Sequence, residues 1–169
     1  MFPYFHKFNK RIISDELSQK LIEYFYDNEN NFISLPDGNW YLARQEIKEF
    51  KEVSELIKSC NGACYGVVFI MQLPNTVVPR HVDGPSFRRS VLATPLLPYT
   101  NYPSTYFYEN EYDDAVASID FSDRNSVLFN TSKFHDLKAN DSIRVNFQMV
   151  FSDTFEDVYK RVIEDKLFN

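Results

Sequence analysis

The chain has 169 residues, of which 44% are hydrophobic and 25% are charged. This length and composition are typical of one globular domain over residues 1–169 and exclude a disordered chain. The formal net charge of −6 makes nucleic acid an unlikely main partner, because binding a phosphate backbone needs a basic surface.

Two exclusions concern the cellular setting. No stretch approaches the roughly 18 apolar residues of a membrane-spanning helix, and the first residues lack the apolar core of a signal peptide. The two cysteines, Cys60 and Cys64, are too few for a disulfide framework and have no zinc-type partners. We therefore expect a cytoplasmic protein that does not bind membranes.

The first third of the sequence predicts two amphipathic helices. Between Ser14 and about Asn28, apolar residues recur at helical spacing on one face, and acidic residues occupy the first turn. After a loop at 36–38, a second apolar stripe predicts a helix from about Gln45 to Cys60.

From Tyr65 onward the apolar period changes to two, which is the period of a strand. Helices followed by many short strands indicate an α+β fold in which helices cover one sheet face. We expect a helical part at about 1–64, a β core at about 65–152 and a C-terminal tail. The predicted strands lie near 65–73, 88–97, 104–109, 116–120, 126–130 and 142–151.

Three residues that can bind a metal occur in order in the β-rich part: His81, Asp83 and His135. In an extended segment His81 and Asp83 share one face, because side chains two residues apart point the same way. Two imidazoles and one carboxylate form the facial triad of non-haem Fe(II) sites, which leaves positions open for oxygen chemistry. Alternatively, the histidines are ordinary surface or hydrogen-bonded residues, and Asp83 belongs to a turn before Gly84.

Arg144 begins the clearest strand, in which polar and apolar residues alternate up to Phe151. Its polar face carries Arg144, Asn146 and Gln148, and it is either the solvent side of the strand or the wall of a polar cavity. An arginine binds a carboxylate through two parallel hydrogen bonds, which a lysine cannot do. Arg144 is therefore the candidate for binding the distal carboxylate of a 2-oxo acid.

The His-Val-Asp run at 81–83, His135 and Arg144 together resemble the motif of the 2-oxoglutarate- and Fe(II)-dependent dioxygenases. The resemblance implies that the stretch at about 65–151 folds as a double-stranded β-helix, the jelly-roll core also found in cupins. It implies that the triad binds Fe(II) and carries catalysis, and that Arg144 binds the 5-carboxylate of 2-oxoglutarate. It also implies O₂ as a substrate, with ascorbate as a candidate reductant.

Within this superfamily, the run from His81 to Pro85 with its following arginines is similar to prolyl and aspartyl/asparaginyl hydroxylases. The similarity implies hydroxylation of an amino-acid side chain, either free or in a peptide or protein. Arg88 and Arg89 have opposite faces in a strand, so at most one points inward. That arginine is a candidate contact for the substrate or for the 1-carboxylate of 2-oxoglutarate, and the alternative is that it is only a solvated charge.

The sequence does not settle which residue, besides Arg144, helps to bind 2-oxoglutarate. Prolyl hydroxylases usually carry a tyrosine on the strand after His-x-Asp, and the corresponding strand here has none. Thr94, Tyr106 and Tyr108 are the candidate replacements. The loops expected to surround the substrate lie near 36–41, 74–80 and 99–104.

A function of another class is also open: a cupin-like jelly-roll module that holds a small molecule or a metal without redox chemistry. Such a module need not prefer iron, and 2-oxoglutarate would not raise its melting temperature. Demethylation of nucleic acid by the same iron chemistry is disfavoured by the acidic charge.

Overall fold

Two antiparallel β-sheets pack face to face around an apolar interior in the computed structural model. One sheet has seven strands and the other has four. The structure describes residues 4–34, 39–42, 47, 50–60, 64–83, 89–97, 105–138 and 141–163.

The first helix, α1, spans Asp15–Asp27 and begins where the sequence indicates. Ser14 lies just before it in an extended conformation, and its side-chain oxygen accepts a hydrogen bond from the Leu17 N–H at 3.0 Å. This bond satisfies one of the backbone donors that have no partner within the first turn. A 3₁₀ turn at Glu29–Asn31 follows the helix.

The second helix, α2, spans Lys51–Ser59 and is shorter than the predicted stretch from Gln45 to Cys60. Phe50 has an extended backbone (φ −59°, ψ 124°), so the helix cannot begin before Lys51. The predicted start at Gln45 lies outside the described residues.

The stretch predicted to be a C-terminal tail contains a third helix, α3, at Phe155–Ile163. Thr154 caps it: the hydroxyl accepts the Asp157 N–H at 3.2 Å and donates to the Asp157 carboxylate at 2.7 Å. A threonine followed three residues later by an acidic residue resembles a capping box, so the sequence did contain a signal for this helix. Within the described ranges, no helix has the length and apolar character to cross a membrane.

All six predicted strands are present, within a few residues of their expected bounds. They are β4 at Cys64–Gln72, β6 at Ser90–Leu97, β7 at Thr105–Tyr108, β8 at Ala117–Ile119, β9 at Val127–Asn130 and β11 at Arg144–Phe151. Further strands were not predicted, because they are short and lack a clear alternation of apolar and polar residues. They are β1 at Phe5–Lys7, β2 at Ile33–Ser34, β3 at Asn39–Leu42, β5 at Val78–His81 and β10 at Phe134–Leu137. The part at about 1–64 is therefore not purely helical.

From β4 onward the chain passes repeatedly between the two sheets. The larger sheet has the order β1-β9-β6-β11-β4-β3-β2, and the smaller has the order β5-β10-β7-β8. Every paired strand is antiparallel to its neighbour. Two facing antiparallel sheets connected in this way form a jelly roll. The predicted α+β fold with a double-stranded β-helix is confirmed.

The two faces of the larger sheet bury different neighbours. On β11, alternate residues from Val145 to Phe151 join an apolar cluster with Leu21 of α1. Val150, on the opposite face, joins a second cluster that includes Phe107 of the smaller sheet. The N-terminal helices therefore pack on one sheet, as predicted, and α3 packs with them.

The apolar cluster beneath the helices predicts a large effect of one truncation. Phe147 is fully buried on β11, with its ring centroid 6.1 Å from that of Phe69 on β4. Phe147→Ala removes the ring and leaves a cavity, so the free energy of unfolding should fall by about 3–5 kcal/mol in urea denaturation. Tyr112→Ala is the control, since Tyr112 is 89% exposed and its truncation should change stability by about 0.5 kcal/mol or less. A similar small change at Phe147 would contradict the assigned core.

Candidate metal centre

His81 and His135 lie directly opposite each other on the antiparallel strands β5 and β10. Opposed residues of such a pair project from the same face, and the two imidazole centroids are 4.4 Å apart. Phe107, which lies opposite His135 on β7, belongs to the apolar cluster between the sheets. Both imidazoles therefore face the interior. The sequence identified these histidines but not the two strands that carry them.

Each imidazole is oriented by a backbone carbonyl two residues earlier in the chain. The Nδ1 of His81 donates to the Pro79 carbonyl oxygen at 2.7 Å, and the Nδ1 of His135 donates to that of Lys133 at 2.8 Å. A carbonyl oxygen only accepts, so the proton resides on Nδ1, and Nε2 of the neutral ring carries the lone pair. Such a carbonyl is a usual second partner of a metal-binding histidine.

Asp83 lies just beyond the end of β5, and its backbone is tied to the turn between β9 and β10. Its N–H donates to the Thr131 carbonyl oxygen at 2.9 Å. The side-chain oxygen of Asn130 closes that turn by accepting the Ser132 N–H at 3.0 Å. The loop that carries the carboxylate is therefore anchored to the turn that leads into β10.

The ligand atoms of His81, Asp83 and His135 all lie within 4.8 Å of one another. The Asp83 Oδ1 is 3.4 Å from the His81 Nε2, close to the roughly 3 Å between adjacent ligand atoms around a six-coordinate ion at about 2.1 Å. His135 is 8% exposed, whereas the side chains of His81 and Asp83 are 29% and 16% exposed. The cluster is thus buried on one side and accessible on the other. Two imidazoles and one carboxylate in this arrangement fit a facial triad.

The polar face of β11 forms a wall of the interior and not a solvated edge. Arg144, Asn146 and Gln148 are 7%, 1% and 5% exposed, and β11 pairs with β4 on one side and β6 on the other. The guanidinium carbon of Arg144 lies 5.4 Å from the ring centroid of Phe121, a member of the apolar cluster between the sheets. Of the two interpretations of this strand, the cavity wall is correct.

Strand register gives the order of these groups along the interior. His135 lies opposite Phe107, and two residues further along the pair Leu137 lies opposite Thr105, which in turn lies opposite Ile119 on β8. Phe121, against which Arg144 packs, follows two residues after Ile119. The arginine is therefore separated along the interior from the histidines, as a ligand that reaches from a metal to a distant cation requires.

Three of the candidate contacts for 2-oxoglutarate have side chains that the structure places outside the interior. Thr94 pairs with Phe147, which faces the helices, and its hydroxyl lies 2.7 Å from that of Ser126. Tyr106 precedes the inward-facing Phe107, so it projects from the outer face of the smaller sheet, as does Tyr108. Strands buried on both faces conceal which residues point inward, so the sequence could not distinguish these positions.

An outer-face network that the sequence did not reveal supports the two histidine strands. The guanidinium carbon of Arg80 on β5 lies 3.3 Å from the ring centroid of Tyr108 on β7. The Tyr108 hydroxyl donates to the Asp136 carboxylate on β10 at 2.6 Å. Burial, reinforced by this hydrogen bond, raises the pKa of Tyr108. The network connects β5, β7 and β10 directly behind the ligand side chains.

Arg89 lies immediately before β6 and is exposed, and its N–H donates to the Phe151 carbonyl oxygen at 3.0 Å. It shares the parity of Val91 and Ala93, which face the interior. Ser90, next to Arg89, pairs with Phe151, whereas Leu97 at the other end of β6 pairs with Val145 beside Arg144. Arg89 therefore lies at the end of β6 away from Arg144. Arg88 lies outside the described residues.

The structure describes residues in two of the three segments predicted to be loops around the substrate. Residues 39–42 form β3, and residues 78–80 belong to β5, so the predictions at 36–41 and 74–80 are wrong in those parts. Both strands pair with a neighbour that already fixes them in a sheet. The loop at 99–104 lies outside the described residues.

No family model matches the sequence, and no curated protein matches it. Solved structures, in contrast, are similar over most of the chain. A prolyl hydroxylase from Trichoplax adhaerens, in complex with a peptide from the oxygen degradation domain of hypoxia inducible factor, has a TM-score of 0.66 and 15% identity. That match covers 92% of this chain and 86% of the hydroxylase.

Two further similar structures are those of another prolyl hydroxylase and of an epimerase. The collagen prolyl hydroxylase of Paramecium bursaria Chlorella virus-1, in complex with 2-oxoglutarate, has a TM-score of 0.55 and 14% identity, covering 88% of this chain and 94% of that one. The non-haem, 2-oxoglutarate-dependent epimerase SnoN of nogalamycin biosynthesis has a TM-score of 0.61 and 9% identity, covering 88% and 77%. The chain thus has the double-stranded β-helix fold of the 2-oxoglutarate-dependent oxygenases.

Proposed function

We propose that the chain is a non-haem Fe(II) oxygenase that uses 2-oxoglutarate to hydroxylate an amino-acid side chain, free or within a peptide or protein. The observation that carries the proposal is the convergence of His81, Asp83 and His135, with Arg144 inside the same pair of sheets. The fold supports it, because similar structures include enzymes whose names state dependence on, or complex formation with, 2-oxoglutarate.

The metal is held by His81 and His135 through Nε2 and by Asp83 through a carboxylate oxygen. Because the backbone carbonyls already hold both protons on Nδ1, neither neutral ring has to change tautomer to bind. With only these three protein ligands, a bound Fe(II) would keep positions for a 2-oxo acid and for O₂. When bound, the iron supplies the oxidising chemistry that places one oxygen atom in the substrate and the other in succinate, with loss of CO₂.

Arg144 binds the distal carboxylate of 2-oxoglutarate. Its guanidinium is buried against Phe121, where the low dielectric strengthens a charge-assisted hydrogen bond relative to the same bond in water. The planar fork donates hydrogen bonds to both carboxylate oxygens at once, and this fixes the direction in which the keto-acid end points. Arg144 thus selects a dicarboxylic 2-oxo acid of suitable length.

The substrate side chain enters from the accessible side of the triad, where His81 and Asp83 are partly exposed. Arg89 is the proposed polar contact there, because it is exposed at the end of β6 that lies away from Arg144. A prolyl residue in a peptide is the first substrate to test, since two of the similar structures are prolyl hydroxylases.

Turnover tests the proposed function directly. With Fe(II), ascorbate and 2-oxoglutarate under air, the chain should release succinate, and proline-containing peptides or free amino acids should gain one oxygen atom by mass spectrometry. Succinate is expected even before the substrate is known, because some decarboxylation proceeds uncoupled. Omission of iron or of O₂ is the control. Absence of iron-dependent succinate, with no rise in melting temperature on addition of 2-oxoglutarate, would favour the non-catalytic jelly-roll module.

Metal binding should require the histidines of the triad, and loss of a histidine elsewhere should not affect it. Addition of Mn(II) or anaerobic Fe(II) should raise the melting temperature of the native chain, since a ligand of the folded state stabilises it. His135→Ala should remove this shift. His6→Ala is the matched control, because His6 lies on β1 between the rings of Phe8 and Tyr159 and should keep it. An equal shift in both variants would place the metal elsewhere.

Arg144 should govern the demand for 2-oxoglutarate. Arg144→Gln is expected to raise the Kd for 2-oxoglutarate at least about 30-fold, and Arg144→Lys by about tenfold, because a lysine keeps the charge but not the fork. Titration in the presence of Mn(II) measures both values. Arg161→Gln on α3, where Arg161 pairs with Asp153, serves as the control and should bind normally. Unchanged affinity in Arg144→Gln would refute the assigned role.

A further inference from the structure

Gln72, the last residue of β4, lies directly opposite Arg144 at the start of β11. Directly opposed residues of an antiparallel pair project from the same face, with Cβ atoms about 5 Å apart. Gln72 is 2% exposed, so its amide is buried in the interior beside the guanidinium group.

The orientation of this amide is fixed by the turn between β4 and β5. The Gln72 Nε2 donates to the Thr76 carbonyl oxygen at 2.8 Å. A carbonyl only accepts, so the nitrogen must point toward Thr76 and the oxygen away from it. Asn75, with φ of 61°, and the hydrogen bond from the Thr76 N–H to the Leu73 carbonyl hold this turn.

The other end of the amide is an unsatisfied acceptor. The Gln72 Oε1 is buried and accepts no hydrogen bond from the described residues. A buried acceptor without a donor is unfavourable and uncommon in folded proteins, so a native one indicates a donor that arrives with a ligand or with a rearrangement. 2-Oxoglutarate offers only acceptors in its ionised form, so it cannot itself supply the donor.

Arg144 can supply it. A guanidinium group has five N–H donors, and a bidentate carboxylate uses two of them, which leaves others for a neighbouring oxygen. We propose that Gln72 is a positioning residue for 2-oxoglutarate, whose Oε1 accepts an N–H of Arg144 and sets the plane in which the guanidinium meets the distal carboxylate. This inference rests on the proposed function. It fills the role of a second determinant of co-substrate binding, for which Thr94 and Tyr106 are unsuitable.

Two substitutions test the role. Gln72→Met keeps the length and removes the acceptor, so the Kd for 2-oxoglutarate with Mn(II) present should rise about tenfold. Gln72→Glu keeps an acceptor and adds a charge that pairs with Arg144, so it should weaken binding further. Gln19→Met is the matched control, because Gln19 is an exposed residue of α1. Affinity for Mn(II) alone should be unchanged in all three variants.

A second co-substrate separates positioning of Arg144 from a general effect on the fold. 2-Oxopentanoate has the same keto-acid end and chain length as 2-oxoglutarate but lacks the distal carboxylate. Gln72→Met should leave its Kd unchanged, so the preference for 2-oxoglutarate over 2-oxopentanoate should fall about tenfold. If Gln72 only fastens the turn at Thr76, both acids should lose affinity equally or neither should, and either result overturns the proposal.

The failure of this inference differs from failure of the proposed function. If the native chain with Mn(II) binds no 2-oxo acid, the proposed function fails and the role of Gln72 fails with it. If the native chain binds 2-oxoglutarate and Gln72→Met binds it equally well, only the role of Gln72 fails. Should the variants not fold, a crystal structure of the native chain with Mn(II) and N-oxalylglycine decides. A Gln72 Oε1 within about 3.2 Å of an Arg144 nitrogen supports the role, and a longer separation refutes it.

Discussion

The pairing of β5 with β10 is the contact on which the candidate site depends. Both strands are short, and among the described strands β5 pairs only with β10. A shift of one residue would turn one imidazole to the outer face and separate the ligands. Two contacts outside the β5–β10 hydrogen bonds hold this register. Arg80 packs on the ring of Tyr108 on the outer face, and the Asp83 N–H donates to the Thr131 carbonyl oxygen just beyond the end of β5. The residues beside each ligand thus fix the position of the ligand.

The interior between the sheets has an apolar part and a buried polar part. One part is lined by Phe107, Phe129 and other apolar side chains, whereas β4 and β11 contribute Gln72, Arg144 and further buried amides. Burying a guanidinium and amides lowers stability unless each is well paired. Within this wall the Gln72 Oε1 is buried and accepts no hydrogen bond from the described residues, a local loss of stability of the kind that proteins carry at functional sites.

The apolar periodicity of the sequence predicted the first helix, the longer strands and the fold class, but not which residues of the doubly buried strands face the interior. The start of α1 near Ser14, its apolar stripe and the alternation of β11 follow from local rules, and so does the α+β class. The candidate triad was identified from residue types, because two histidines and one aspartate, followed by an arginine, match few kinds of metal site besides the facial triad. The strands that carry His81 and His135 are too short to show a period. The facing of Thr94 was hidden because β6 is apolar on both sides, so only the register with β11 reveals it.

The carbonyls that hold the two imidazoles belong to the same chain segments as the histidines themselves. A donor set oriented by such local bonds is ready before any ion arrives, and it has little means of refusing the wrong one. Divalent zinc and copper bind nitrogen and oxygen donors more strongly than ferrous iron does. Under the proposed function, zinc or copper is therefore expected to compete with iron for the triad of the purified chain, and iron occupancy in a cell would depend on which ion is supplied.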